Sequence, residues 1–376
     1  MFLELQGVDM CLIRKRSRIA FAVLLAAVMA VCGIERSEAQ KLTVVSWGGA
    51  FSRASIKAYH ERFTRETGIV IDFEDYNGGL AQIRSQVAAG NVYWDVVNLE
   101  ISDFVRGCDE GLLVPLSIEE FPDGADGTPA REDFMDGTIL DCGVGMRFAS
   151  TVYAYNEQSI QGDKPTTIAD FFDLDRFPGR RGMRRSPLVN LEFALMADGV
   201  PVSQVYEVLD TPEGVERAFR KLDSIKDYII WWETGAQPPQ LLADEEVVMT
   251  TAYNGRIFNA QILENQPFVI VWDGQVLDSG GLGIVAGTKN LEAAKAFVHF
   301  ATTAPSMAGL TRYISYSPTR RSAIPLITTH AESGVNMRPH LPKTPENSAR
   351  ALYNDWNWWS DNGEELIERF STWLAR

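Results

Sequence analysis

The sequence predicts an α/β protein built on a parallel, doubly wound sheet, and three observations carry that expectation. From Leu42 to Gly111, strand-like and helix-like stretches alternate at the spacing of successive strand-helix-strand units. The chain has 376 residues, long for one domain and comfortable for two, with the 45% hydrophobic and 23% charged content of an ordinary globular protein. No internal repeat or low-complexity linker interrupts it, so the two halves are expected to share strands rather than hang on a tether.

The chain opens on a targeting segment. Arg14, Lys15, Arg16 and Arg18 precede an unbroken apolar run from Ile19 to Val31, and Ser37-Glu38-Ala39 follows as a small-x-small cleavage candidate. The run is too short for a stable membrane anchor, so residues 1–39 read as a secretory signal peptide and the mature protein as periplasmic. Cys32 offers a lipid attachment point, but Val31 stands where a small residue is wanted before a modified cysteine, and lipid anchoring is not expected. Residues 1–39 carry five basic and four acidic side chains, so the net charge of −15 for the whole chain becomes −16 beyond them. An acidic exported protein is a poor partner for nucleic acid or an anionic membrane face. Cys11 and Cys32 leave with the signal, and the remaining even pair, Cys108 and Cys142, is most simply a disulfide. Closing that loop stabilises by about 3 to 4 kcal/mol in the chain-entropy account.

Leu42 to Ser46 is a β-branched strand that ends at Trp47-Gly48-Gly49, and Ile56, Tyr59 and Phe63 then recur at helical spacing until Gly68. Ile69 to Phe73 is a second strand, Asn77-Gly78-Gly79 a turn, and Leu80, Ile83 and Val87 mark a helix stopped by Gly90. Asp95 to Leu99 is a third strand, with a helix through Ile101, Phe104, Val105 and Cys108 behind it. In such sheets ligands meet the loops at the carboxyl ends of the strands, here Trp47-Gly48-Gly49, Asp75-Tyr76-Asn77 and Glu100-Ile101-Ser102. Further on, Val144 to Asn156 reads as a long strand, Phe171-Phe172 as part of a helix, and residues 178–185 as a basic turn whose Arg181 and Arg185 are expected on a solvated face. Residues 213–226 read as an amphipathic helix, Phe268 to Trp272 and Gly280 to Gly287 as two strands, and Leu291 to Val298 as a helix. The tail adds Tyr313 to Pro318, an aromatic knot at Trp356, Trp358 and Trp359, and a closing helix.

The stretch from Trp231 to Arg256 organises the second half. Two polar, aromatic turns, one with Trp232 and Gln237 and one with Tyr253-Asn254-Gly255-Arg256, flank a strand apolar enough to be buried. Loops beside a rigid strand are where a ligand site is kept, though Trp231 and Trp232 read equally well as core. Gly281 to Ala286 loosely matches a dinucleotide pattern but sits within a strand-like run, where that motif has no function. There is no nucleophile elbow, His-Glu-x-x-His or phosphate loop, and the four histidines, His60, His299, His330 and His340, stand near no obvious nucleophile. No cofactor or metal is expected. An exported enzyme relying on carboxylates stays open as an alternative of another class, although no acid and base pair announces itself.

Taken in order, the export signal, Leu42-Thr43-Val44-Val45-Ser46-Trp47-Gly48-Gly49, Trp94-Asp95-Val96-Val97-Asn98-Leu99-Glu100, Tyr153-Ala154-Tyr155-Asn156, Ala252-Tyr253-Asn254-Gly255-Arg256 and Tyr316-Ser317-Pro318-Thr319 resemble the periplasmic solute-binding proteins of ABC importers, of the spermidine/putrescine type. The resemblance covers essentially the whole mature chain. It implies a two-lobed periplasmic-binding-protein fold of type II, with hinge strands between the lobes. One lobe would be residues 41–147 plus 280–312 and the other 148–279 plus 313–376. It further implies a monomer that traps a small charged solute, a polyamine such as putrescine or spermidine, by closing on it and hands it to the transmembrane subunits of an ABC permease.

Polyamine binders of this family hold their ligand with aromatic walls and carboxylates, so the resemblance implies Trp47 and Trp232 as walls, Glu100 and Asp278 as carboxylates, and Tyr316 late in the chain. The sequence departs from that pattern at Arg184-Arg185, and Arg256 adds a guanidinium whose rigid fork suits a carboxylate. If Arg184 or Arg256 faces the cleft, a γ-aminobutyrate-like amino acid or a small dicarboxylate fits better than spermidine. Gly48-Gly49 at a helix N-terminus could meet the same carboxylate through backbone N–H groups.

Overall fold

The computed structural model describes residues 40–376. The signal peptide, its cleavage site and Cys32 lie outside the described residues. Within Lys41–Arg376, which forms a single compact unit, the strands are β1 (Lys41–Ser46), β2 (Val70–Asp75), β3 (Val96–Glu100), β4 (Ile139–Leu140), β5 (Gly143–Asn156), β6 (Arg181–Arg184), β7 (Ile229–Trp232), β8 (Met249–Tyr253), β9 (Phe268–Ile284), β10 (Ser317–Pro318) and β11 (Leu352–Tyr353). They join in one sheet in the order β2-β1-β3-β9-β5-β8-β6-β7, with β4 and β10 on β5 and β11 on β9.

The expected parallel sheet exists at both ends and not in the middle. β2, β1 and β3 run parallel, as do β8, β6 and β7. Between them the pairs β3/β9, β9/β5 and β5/β8 are antiparallel. The cause is two long strands of 14 and 17 residues, β5 and β9, that pair from Val144↔Leu282 to Asn156↔Phe268 and serve both ends at once. The sequence reading broke β9 into two strands because its middle, Asp273 to Ser279, is polar; there the ladder with β5 shifts register, Thr151 pairing Val276 and Tyr153 pairing Val271, so that Trp272 to Gln275 bulge out while Val276 to Ser279 stay paired. The dinucleotide-like glycines fall inside this strand, as the sequence context implied.

Helices cover both faces. Along β1 and β3 neighbouring valines divide between two cores: Val44 and Val96 pack with Phe51, Tyr59 and Phe297, whereas Val45 and Val97 pack with Leu80, Ile83 and Phe104. Alternation with both sides apolar is the mark of a sheet buried twice over. At the other end Tyr153, Phe171, Phe193 and Phe219 form a third core. Cys108 and Cys142 are bonded, tying the helix Ile101–Asp109 to the start of β5.

Three local readings are corrected. Arg181 is fully buried on β6, not on a solvated turn: its guanidinium donates to the carbonyls of Phe171 (2.8 Å), Gly179 (2.8 Å) and Phe177 (2.6 Å), and burial pushes its pKa down to about 10. Trp231 and Trp232 stand on β7 rather than in a turn, Trp231 edge-on to Phe370 and Trp373. The segment after Tyr253 begins the helix Asn254–Leu263 rather than a turn. Among the described residues no helix is long and apolar enough to cross a membrane.

Candidate functional site

The carboxyl ends of strands from both parallel blocks converge on the antiparallel centre, and a cavity lies where they meet. Trp47 follows β1, Glu100 ends β3, Arg184 ends β6 and Tyr253 ends β8; Arg147, Ser150 and Thr151 of β5 and Asp278 of β9 supply the floor, and Tyr316 precedes β10. This is the place where open α/β sheets bind ligands. The cavity leaves about 40 Å³ for the centres of water molecules, on the order of three water positions.

The aromatic wall is fixed by hydrogen bonds and close packing. The Trp47 indole N–H donates to Asn98 Oδ1 at 2.8 Å, and its ring lies 5.5 Å from that of Tyr76. Gly78, at φ 87°, passes so close that a Cβ there would stand 2.4 Å from the Trp47 ring. Phe51 and Tyr316 face each other at 5.8 Å. Val189, which also lines the cavity, holds φ 72°, a strained conformation for a β-branched residue.

The charges are the distinctive feature. Arg184 meets Glu100 at 3.4 Å, but among the described residues neither Arg147 nor Arg256 has a carboxylate within 4.0 Å. The Arg147 guanidinium lies 4.6 Å from the Phe51 ring centre and 5.6 Å from that of Tyr316, with Nη2 3.4 Å from Asn98 Oδ1 and a buried Nε that has no partner. Arg256 Nη2 donates to the Trp47 carbonyl at 3.3 Å, while its Nε and Nη1 are buried without partners. Gly49 makes room for it: a Cβ there would sit 3.0 Å from Arg256 Nη1. Burial, with the charge of Arg147 among the lesser causes, lowers the Arg256 pKa. Unpaired buried donors on a cation are costly and call for an anion.

Asp278 is the counterpart. Burial first, and the charge of Glu100 second, push its carboxyl up to about 7, although the Trp356 indole N–H (2.8 Å) and the Ser279 amide (2.8 Å) donate to it. Burial likewise pushes the Tyr253 hydroxyl up to about 12.

Of the residues singled out from sequence, the cavity is lined by Trp47, Glu100, Arg184, Tyr253, Arg256, Asp278 and Tyr316. The others stand outside its lining. Trp232 is buried behind Tyr253, ring to ring at 5.8 Å. Gln237 is exposed, its Oε1 accepting the amides of Glu233 and Thr234. Asn254 is buried and stitches the centre together, accepting from the Ser150 amide and donating to the Ser315 carbonyl. Gly48 and Gly49 contribute backbone next to Asp75 and Arg256. Sequence reasoning missed Arg147, Phe51, Ser150, Thr151, Leu188 and Val189. Only Arg147 left a legible sign: an arginine in mid-strand among apolar residues must find an anion or a ring. Among the described residues no group of three or more His, Cys, Asp or Glu side chains converges on a metal position.

A family model described as bacterial extracellular solute-binding protein matches residues 58–343. A Pseudomonas aeruginosa protein named gamma-aminobutyric acid-binding protein is 40% identical over 348 residues, covering 93% of this chain and 95% of that one. Among solved structures, the periplasmic binding protein MotA from A. tumefaciens B6 with glucopine is similar at 28% identity and a TM-score of 0.81, over 89% of this chain and 100% of that one. The Atu4243-GABA receptor is similar at 29% identity and a TM-score of 0.75, over 90% and 98%.

Proposed function

The chain belongs to the bacterial extracellular solute-binding protein family, with the two-lobed fold of type II periplasmic binding proteins, and is a solute-binding component of an ABC transporter; we propose that its solute is γ-aminobutyrate or a closely similar ω-amino acid. One observation carries this reading: two buried guanidiniums with free donors share a small cavity with a carboxyl group. Arg147 and Arg256 suit a carboxylate, and Asp278 suits an ammonium. Trp47, Tyr253 and Tyr316 would enclose the methylene chain and favour its cationic end.

A polyamine fits this arrangement less well. Its ammonium groups would meet two guanidiniums of like charge. The relative named for γ-aminobutyric acid binding supports the amino-acid alternative. By the same reading residues 1–39 are removed on export to the periplasm, and the mature monomer delivers its solute to the permease subunits unchanged. The lobes, residues 41–147 plus 280–312 and residues 148–279 plus 313–376, would close about β5 and β9 in a population shift between open and closed states.

Titration calorimetry of the mature protein with γ-aminobutyrate, putrescine, spermidine and malate tests the proposal. γ-Aminobutyrate is expected to bind and to be recovered intact, and Arg256→Lys to weaken it about tenfold or more by removing the planar fork. Binding of putrescine or malate in preference to γ-aminobutyrate would overturn the assignment, and recovery of an altered ligand would turn it towards an enzyme.

A further inference from the structure

Beside the ligand cavity lies a second, larger one of about 470 Å³, and Glu100, Arg184 and Leu188 line both. The second cavity is open to solvent along the helix Trp356–Leu374 and floored by Asn77 and Gly78. Its lining is mixed: Ser102, Asp103 and Arg106 face it on one side and Trp359, Ile367 and Phe370 on the other, with the Arg185–Glu233 pair (3.0 Å) at its rim. The Arg184–Glu100 ion pair, with Leu188 beside it, stands where the two spaces meet. Its partners come from opposite ends of the sheet, β3 and β6, and meet through one contact of 3.4 Å, their side chains 20% and 18% exposed.

The two carboxylates of the cleft differ in a way that gives the pair its meaning. Asp278 has no cation within 4.0 Å among the described residues and is free to take a ligand ammonium. Glu100 is already engaged by Arg184 and lies near enough to Asp278 to influence its titration. Both carboxylates line the cavity, so a ligand held by Asp278 at its amino end and by Arg147 and Arg256 at its carboxylate would bring its nitrogen near the pair.

Resting on the reading of the cavity as an amino-acid site, we propose that the Glu100–Arg184 ion pair is a specificity-determining latch that restricts the ligand to a short primary amine. With the latch apart, the two cavities become one channel able to take an ω-amino acid whose nitrogen bears a polar extension. The contact is single and partly exposed, so it is a weak barrier of about two- to fivefold in affinity rather than an absolute one.

Calorimetry with γ-aminobutyrate and with N-(2-hydroxyethyl)-γ-aminobutyrate tests this, the readout being the ratio of the two affinities. Wild type is expected to favour γ-aminobutyrate by about two- to fivefold, and the double variant E100S/R184S to bring that ratio close to one. The charge swap E100R/R184E, which keeps an ion pair in the same place, is expected to keep the discrimination, which a direct ligand contact by either residue would not. Thermal melts of both variants confirm that each is folded. An unchanged ratio in E100S/R184S, or loss of discrimination in the swap, overturns the latch while leaving the site's assignment standing. Failure of wild type to bind γ-aminobutyrate at all overturns the assignment and the latch with it.

Discussion

Asp278 couples the cleft to pH. Its native carboxyl titrates near 7, raised mainly by burial, so between the unfolded value near 4 and pH 7 the folded protein holds a proton that the unfolded chain releases. Where the native state binds more protons, stability falls as pH rises. The ligand-free protein should therefore lose thermal stability from about pH 4 to 7 on account of this group. Glu192, also pushed up to about 7 by burial, adds a slope of the same sign. A ligand ammonium needs the ionised carboxylate, so affinity for γ-aminobutyrate should run the other way, rising with pH up to about 7 and then levelling. Calorimetry from pH 5 to 8 on wild type and Asp278→Asn measures it; a variant with the same pH profile as wild type would remove Asp278 from the ammonium end. At this scale sequence reading named Arg256 from the composition of its segment, Trp47 from its place at a strand end, and Asp278 only from the family that the chain resembles. It could not say that Trp232 faces away from the cavity or that Arg184 is spent on Glu100, because a side chain's direction is set by packing partners far off in the chain.

Among the elements, the loop after β10 is held to the helix Ala130–Asp133 by a buried ion pair, Arg320 to Asp133 at 2.9 Å, both side chains essentially inaccessible. Arg320 also donates to the carbonyls of Thr302 and Pro122 and lies 4.0 Å above the Phe134 ring, while Asp133 accepts from the amide and hydroxyl of Ser322. Removing one partner strands a buried charge with no water to take it, so Asp133→Ala should cost about 3 to 5 kcal/mol in denaturant unfolding. A cost below 1 kcal/mol would mean that water reaches Arg320. Nothing in the sequence marked this pair, whose residues are 187 positions apart. Elements whose identity rests on local pattern were legible, as with the β-branched runs at Leu42, Ile69 and Asp95 and the apolar stripe of residues 213–226. β6 was not, since Arg-Gly-Met-Arg has the composition of a turn and becomes a strand by pairing with β7 and β8, the carbonyls of Phe171, Gly179 and Phe177 accepting from the Arg181 guanidinium that this buries. In the middle of β9, Val276 to Ser279 are held extended by pairing with β5, whereas Trp272 to Gln275 bulge out of that ladder and Gly274 takes φ 70°, so no local pattern announced one continuous strand.

For the molecule as a whole, residues 40–376 carry −16 while the cavity concentrates three guanidiniums against one paired and one proton-holding carboxyl. Long-range field and local site thus have opposite signs. A dianion such as malate is repelled on approach by the net charge, a diamine is drawn in and then meets Arg147 and Arg256, and a zwitterion, with no net charge, is nearly indifferent to the far field. Salt separates these cases, because at 0.15 M screening acts beyond roughly 8 Å and leaves contacts inside a dry cavity almost untouched. Stopped-flow association with γ-aminobutyrate should accordingly change less than about twofold between 0.01 and 0.15 M salt, since neither steering nor repulsion is there to be screened. Association that slows markedly with salt would point to a cationic solute, and association that quickens would point to a dicarboxylate. The measurement therefore discriminates the charge type of the natural solute by a property of the entire surface, independently of the residues that touch it.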